Sequence, residues 1–245
     1  MRHYLTALQF LTILPVRTNT CFEKDDLGRS TAWFPLAGLT LGGLLLLVDY
    51  GLSSLFPRHL TDTLLIALLA LLTGALHLDG LADVCDGIAA RGGKERFLAV
   101  MKDSRVGAVG VVGLVADMGL KYAALLAVPA TVKWQALLLF PALARFAMVQ
   151  VMAGARSARN DGLGAAFLSG IGRNQLLLAG LTVLPLCWLT VGIRGIAALL
   201  LVGLWAMAVR FYFTRRLGGI TGDIVGFSGE TAEIICLLCL AQHTF

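Results

Sequence analysis

The chain has 245 residues, of which 58% are hydrophobic and 14% charged, and its formal net charge is +5. Soluble domains are about 45–50% apolar and about 25% charged, so the composition excludes both an ordinary soluble globule and a disordered chain. A mean hydropathy of +0.81 indicates a membrane protein whose solvent is the lipid bilayer. We expect no nucleic-acid partner, because no basic stripe carries interleaved aromatic residues.

Residues 1–15 predict a short amphipathic helix at the membrane interface, without a signal-peptide cleavage site. The rest of the chain predicts an all-α polytopic bundle of about seven transmembrane helices, with a range of six to eight. The candidate spans are 33–56, 62–80, 106–130, 134–154, 176–193, 195–213 and 231–243. Gly38, Gly42 and Gly43 in the first span predict close helix packing. No repeat or linker divides the chain, so we predict one membrane-embedded domain over residues 1–245.

The basic residues are distributed unevenly between the two ends of these spans. Fifteen lysines and arginines fall in the N-terminal segment and the long loops, whereas the short connections between them hold only Arg58, Lys133 and Arg194. Because lysine and arginine accumulate in cytoplasmic loops, this pattern places the N-terminus and the long loops in the cytoplasm. The polar clusters described next all lie in, or next to, those same segments.

Three aspartates are spaced so that a helix would present them together. Asp79, Asp83 and Asp86 lie at i, i+4 and i+7, within about 60° of one another around an α-helix. Three anions on one face repel each other unless a cation lies among them, and carboxylate oxygens suit Mg²⁺. We therefore predict that these three residues bind Mg²⁺. The neighbouring His77 and Gly80 are predicted to contact substrate, Gly80 by letting a ligand approach its backbone.

A second segment carries groups that bind phosphate. Arg105 offers two parallel hydrogen bonds to a phosphate, Ser104 offers one, and Asp103 either joins the metal shell or orients Arg105. Carboxylates, a divalent ion and an arginine together predict a phosphoryl-transfer site, where catalysis rests on positioning and on neutralising charge. A basic interfacial anchor is the alternative explanation for this segment.

Two loops and one intramembrane lysine complete the predicted site. Arg156 and Arg159 are predicted to hold a second anionic substrate. The glycines at 218 and 219 precede Thr221, Gly222 and Asp223, and could expose amides to phosphate, with Asp223 as a metal ligand or general base. A plain turn is the alternative for both loops. Lys121 either pairs with Asp117 four residues earlier or contacts phosphate, while Glu230 and Glu233 either begin the last helix or join the polar cavity.

The chain resembles the cobalamin synthase family, the adenosylcobinamide-GDP ribazoletransferases, over nearly its whole length. The resemblance is carried by His77-Leu78-Asp79-Gly80-Leu81-Ala82-Asp83 with Asp86-Gly87, by Asp103-Ser104-Arg105-Val106-Gly107, by Lys121, by Gly162-Leu163-Gly164 and by Thr221-Gly222-Asp223. Phe10-Leu11-Thr12-Ile13-Leu14-Pro15-Val16 and Phe34-Pro35-Leu36-Ala37-Gly38 resemble the opening of that family. The acidic motif is the specific part of the resemblance.

The resemblance implies a bacterial inner-membrane enzyme of vitamin B12 synthesis with its active site on the cytoplasmic side. Such an enzyme joins adenosylcobinamide-GDP to α-ribazole or its 5′-phosphate and releases GMP, with Mg²⁺. Asp83, Arg105 and Asp223 are then the expected catalytic residues, with Asp83 or Asp223 accepting the proton of the attacking hydroxyl. Assembly as a homo-oligomer or with other enzymes of that pathway stays open.

Two other functions are alternatives. A CDP-alcohol phosphotransferase of phospholipid synthesis uses the same chemistry with a different acceptor. A cation-coupled transporter would place its carboxylates near the middle of the bilayer and would contain inverted repeats. The aspartates of this chain cluster at one face and no repeat is visible, which favours an enzyme.

Overall fold

The computed structural model describes residues 1–16, 24–159, 167–168 and 170–241. Within these ranges the chain is helical, without a β-strand, and contains only one isolated bridge, between Ser157 and Ile220. The helices are α1 (Arg2–Leu11), α2 (Lys24–Ser30), α3 (Phe34–Leu52), α4 (Arg58–Leu72), α5 (Leu76–Ala89), α6 (Lys94–Val100), α7 (Ala108–Ala127), α8 (Lys133–Met152), α9 (Arg173–Val191), α10 (Ile193–Leu217) and α11 (Gly222–Leu240). The all-α fold and the N-terminal amphipathic helix are therefore confirmed.

Several helices are long and apolar enough to cross a bilayer. In the described part of the chain these are Asp26–Leu52, Ala108–Ala127, Ala130–Met152, Arg173–Val191 and Ile193–Leu217. The number rises to six if α4 and α5 together form one span. A multi-pass membrane protein is consistent with this count, but the predicted number of seven is not confirmed.

The predicted span 62–80 is wrong as a single helix. Helix α4 ends at Leu72, α5 begins at Leu76, and the two are bent by 90°. Gly74 and Ala75 both adopt the left-handed backbone conformation, with φ angles of 60° and 55°. Glycine reaches this conformation without steric cost, and the right-handed helix cannot continue through two such residues. The aspartates therefore lie on a separate helix that turns away from α4.

The last predicted span, 231–243, also differs. Helix α11 begins earlier, at Gly222, and ends at Leu240, while residues 242–245 lie outside the described residues. It is not among the helices apolar enough to count as a span. Asp223, Glu230 and Glu233 are the acidic residues in this helix. By contrast, the separation of α9 from α10 falls at Gly192, close to the predicted boundary between the spans 176–193 and 195–213.

Helix α8 forms the centre of the bundle, and α3 packs tightly against it. A Cβ at Gly38 would lie 2.4 Å from the carbonyl oxygen of Pro141, and one at Gly42 would lie 2.6 Å from that of Leu137. The backbones can approach this closely only because both positions lack a side chain. Gly43 faces open space, so the prediction is confirmed for two of the three glycines.

A buried ion network joins α7, α8 and α11. The Lys121 ammonium lies 2.8 Å from Asp117, 2.9 Å from Glu233, and against Glu230. On the other side of Glu233, the Arg145 guanidinium of α8 donates a hydrogen bond to it. All five side chains are almost fully buried. Because buried charges are tolerated only when they are paired, this network fixes the three helices relative to one another. We call it the Lys121 network.

Alanine substitutions at two glycines of α3 should have opposite effects. Gly38→Ala forces a methyl group into the α8 backbone and should destabilise the protein by about 1–3 kcal/mol, as overpacking does. Gly43→Ala adds the same atom in open space and should leave stability unchanged or raise it, because alanine favours helix more than glycine. Thermal unfolding of both variants in detergent measures the difference. Equal melting temperatures would contradict the close α3–α8 contact.

Removal of Lys121 should strongly destabilise the protein. Lys121→Met leaves three buried carboxylates with Arg145 as their remaining cation, and breaking a buried ion pair from one side costs about 3–5 kcal/mol. The double variant Lys121→Met/Glu230→Gln removes one charge of each sign and should recover part of the loss. Thermal unfolding of the two single variants and the double variant measures this coupling. Additive losses would show that the two side chains do not interact.

Candidate active site

The three aspartates of α5 occupy one face of this helix, as predicted. Asp79 is exposed, and Asp83 and Asp86 are half-buried. Burial disfavours the charged form of the Asp83 carboxylate, the carboxylates of Asp79, Asp223 and Asp86 repel it, and Arg159 attracts it. Asp83 therefore lies in a field of negative charge that a single described cation offsets. Asp223, from α11, therefore belongs to this cluster.

Helix α11 brings Asp223 to the cluster by packing against α5. A Cβ at Gly80 would lie 2.8 Å from the backbone oxygen of Asp223, so the open side of Gly80 is filled by this helix contact. The predicted reason for a glycine here, close approach of a ligand, is therefore wrong, because the approaching group is the α11 backbone. Thr221 caps α11 by accepting a hydrogen bond from the Ile224 amide at 3.4 Å, which fixes the start of the helix beside the aspartates.

The segment before residue 160 is tied to the same place. The Ala158 amide donates to the carbonyl of Ile220 at 3.0 Å, and the Ile220 amide donates to the carbonyl of Arg156 at 2.8 Å. A Cβ at Gly219 would lie 2.4 Å from that Arg156 oxygen. This glycine therefore allows two chain segments to meet, and the predicted phosphate-binding turn is wrong at this position. The Arg156 side chain is exposed.

This pairing places Arg159 on Asp223. Its Nη1 atom lies 3.2 Å from Oδ2 of Asp223, and its Nε and Nη2 atoms are buried without a hydrogen-bond partner in the described part of the chain. Burial raises the pKa of Asp223, whereas the charge of Arg159 and the Thr221 hydroxyl oppose the rise. Arg159 therefore has donors left for an anion. The predicted turn around Gly162 and Gly164 lies outside the described residues.

Asp86 has a different setting from the other aspartates. Its carboxylate accepts hydrogen bonds from the Gly107 amide at 2.7 Å and the Gly110 amide at 2.8 Å. These amides begin α7, where unpaired donors and the helix dipole favour a negative charge. Both carboxylate oxygens thus cap α7, and Asp86 fixes the loop before this helix to α5. The sequence gives no sign of these two amide contacts, and metal binding by Asp86 stays a prediction.

That loop carries Asp103, Ser104 and Arg105, all exposed. The Asp103 carboxylate accepts hydrogen bonds from Nε of Arg105 at 3.0 Å and from Nη2 at 2.7 Å, so Asp103 orients Arg105. These bonds lower the pKa of Asp103 to about 2. A cavity of about 580 Å³ opens beside them, and its charged lining residues are Asp86, Arg96, Asp103 and Arg105. The sequence alone identifies Arg96 only as one of the basic residues in a long cytoplasmic loop and predicts no role for it at the site.

Two predicted substrate contacts lie inside the bundle. Lys121 is bound by three carboxylates of the Lys121 network, so its predicted contact with phosphate is wrong and its alternative pairing with Asp117 is confirmed. Glu230 and Glu233 lie in the middle of α11 and belong to this network. His77 is buried, with Nδ1 3.9 Å from Glu230, and neither ring nitrogen has a hydrogen-bond partner among the described residues.

The residues at this site fit Mg²⁺ in chemistry. Asp79, Asp83 and Asp223 offer only carboxylate oxygens, which hard divalent cations prefer, and their mutual repulsion leaves negative charge for a cation to neutralise. Among the described residues no three histidine, cysteine, aspartate or glutamate side chains converge closely enough to hold an ion. Binding an ion therefore requires these side chains to turn toward one another, and Asp79 is exposed enough to do so.

Comparison with known proteins finds relatives that match this chain over nearly its whole length. The sequence model of the family described as cobalamin-5-phosphate synthase matches residues 3–241. A protein of Geotalea daltonii named adenosylcobinamide-GDP ribazoletransferase is 54% identical over 240 residues, covering 98% of this chain and 97% of the relative. Proteins of the same name from Syntrophobacter fumaroxidans and Roseiflexus sp. are 40% and 37% identical, over 98% and 96% of this chain and 98% and 87% of their own lengths.

No solved structure matches the chain at a significant level. The family match over residues 3–241, however, reaches from α1 to the end of α11, and so it covers the part of this chain that forms the site. The chain therefore belongs to the cobalamin-5-phosphate synthase family.

Proposed function

We propose that this chain is an Mg²⁺-dependent transferase that joins adenosylcobinamide-GDP to α-ribazole or its 5′-phosphate and releases GMP. The names of its relatives support the two substrates, since all three proteins compared above are adenosylcobinamide-GDP ribazoletransferases. The distribution of basic residues supports a site on the cytoplasmic side, and the family resemblance implies the bacterial inner membrane.

The observation that carries this proposal is the setting of Asp83. Three other carboxylates repel it and Arg159 attracts it, in a cluster formed where α5 meets the start of α11. A diphosphate would add further negative charge, which a divalent cation would offset. Asp79, Asp83 and Asp223 would hold Mg²⁺, which would neutralise the diphosphate and stabilise the charge that develops on the departing phosphate.

The reaction breaks one phosphorus–oxygen bond and forms another. A ribose hydroxyl of α-ribazole attacks the phosphorus attached to cobinamide, and the bridging oxygen departs with GMP. The hydroxyl proton passes to a carboxylate, for which Asp83 and Asp223 are the two candidates. Arg105, oriented by Asp103, neutralises charge on the GMP phosphate. Arg159 keeps one nitrogen on Asp223 and offers Nε and Nη2 to the acceptor.

Asp83→Asn should stop turnover without unfolding the protein. The variant removes the most crowded charge of the cluster, and loss of one charge-stabilising group lowers rates about 10²–10³-fold. Because the substitution also relieves repulsion, thermal stability should not fall. GMP release from adenosylcobinamide-GDP by protein in liposomes, titrated with Mg²⁺, measures the effect.

Asp49→Asn is the matched control for Asp83→Asn. It removes a carboxylate paired with Arg58, at the end of the bundle opposite the start of α7. The Asp49→Asn protein should therefore release GMP at the wild-type rate. Wild-type protein that releases no GMP at any Mg²⁺ concentration would overturn the proposed function, and normal turnover by Asp83→Asn would overturn the assignment of Asp83.

Arg159→Gln should weaken binding of the phosphorylated acceptor. A hydrogen bond to a charged group is worth about 1.5–3 kcal/mol, so KM for α-ribazole 5′-phosphate should rise about tenfold or more. KM for unphosphorylated α-ribazole serves as the internal control and should rise less. Steady-state kinetics with the two acceptors measures this difference. Equal increases would mean that Arg159 does not contact the acceptor phosphate.

A further inference from the structure

The aspartate face of α5 has a cationic group near each of its ends. Near Gly80, helix α11 packs on α5 and brings Asp223 with its bound Arg159. At the other end, Asp86 is hydrogen-bonded to Gly107, in the loop that carries Arg105. Asp79 and Asp86 are seven residues apart, which corresponds to about 10 Å along a helix. The site therefore has two separate places where anionic groups can bind.

Two such places suit the geometry of phosphoryl transfer. The attacking and the leaving oxygens lie roughly in line, on opposite sides of the phosphorus. An acceptor held at one end of the aspartate face therefore requires the leaving group to depart toward the other end. This step rests on the proposed function. Because Arg159 and Asp223 lie at the acceptor end, the leaving nucleotide belongs at the end formed by Asp86 and Arg105.

The cavity at that end has the size and lining that a nucleotide needs. Its volume of about 580 Å³ falls within the range of about 300–1,000 Å³ for small-molecule sites. The C-terminal part of α5, helix α6 and the loop before α7 line it, and it is open to solvent. Ala89, Ala99 and Val100 provide apolar surface for a base, while Arg96 and Arg105 provide charge. Arginine suits this task because its planar fork binds phosphate in a bidentate manner and also stacks on flat rings.

The two acidic groups in the cavity already have hydrogen-bond donors of their own. Asp86 is neutralised in part by the amides at the start of α7, and Asp103 by Arg105. Arg96 approaches from α6 and adds a second cation to the same cavity. We propose that this cavity binds the nucleoside monophosphate part of the donor, and that Arg96 is a phosphate-binding residue of this subsite together with Arg105.

Arg96→Gln tests this assignment. KM for adenosylcobinamide-GDP and the inhibition constant of GMP should each rise about tenfold, as expected for the loss of a charge-assisted phosphate contact. The value of kcat should change less, and KM for α-ribazole should stay the same. Arg96→Lys keeps the charge but loses the fork, so it should restore part of the affinity. Arg194→Gln, which makes the same charge change in the first turn of α10, should change neither constant.

Binding of GMP alone provides a second measurement that does not depend on turnover. Calorimetric titration of GMP into the full-length protein in lipid nanodiscs should show weaker binding for Arg96→Gln than for wild type. Weaker binding without any wild-type turnover would support the subsite and overturn the proposed function. Normal turnover with GMP constants unchanged by Arg96→Gln would overturn the subsite and leave the proposed function intact. A rise in KM for α-ribazole 5′-phosphate alone would place the acceptor in this cavity and overturn its assignment to the nucleotide.

Discussion

A charge can remain inside an apolar helix bundle only where opposite charges surround it. The rest of this structure depends on the carboxylates that surround the buried ammonium of Lys121. Its partners come from α7 itself and from α11, and Arg145 extends the contact to α8. Since these pairs hold the middle of α11, its first turn has a defined position against α5. Asp223 lies beside the aspartates of α5 because the ion pairs of Glu230 and Glu233, two to three helical turns further along α11, hold this helix in place.

The site combines carboxylates on helices with cations on the segments between helices. Asp83 and Asp223 are carried by packed helices, with α5 and α11 in backbone contact at Gly80. Arg105 lies in an exposed loop, and Arg159 lies at the end of a segment paired with Ile220. Such a division suits phosphoryl transfer, because groups on helices keep a site accurate, whereas arginines on loops can adjust to substrates of different size.

The sequence predicts the helical membrane fold, the shared face of Asp79, Asp83 and Asp86, and the pairing of Asp103 with Arg105, since each depends on local spacing or composition. It fails at the break near Gly74, because the apolar run continues across this residue. It also misses the partners of Glu230 and Asp86, which lie about 110 and 20 residues away along the chain. Contacts of that kind leave no periodic signal in the sequence. The link to a corrinoid comes from family resemblance, since no physical property of the residues specifies it.

The 90° bend between α4 and α5 determines how deep the reacting groups lie. On a straight continuation of α4, the first and last aspartates would differ in depth by about 10 Å, a third of the roughly 30 Å hydrocarbon layer. Where α4 runs along the bilayer normal, the perpendicular α5 holds all three at one level. A bulky molecule that moves sideways along the leaflet can then reach every carboxylate without sinking further into the lipid.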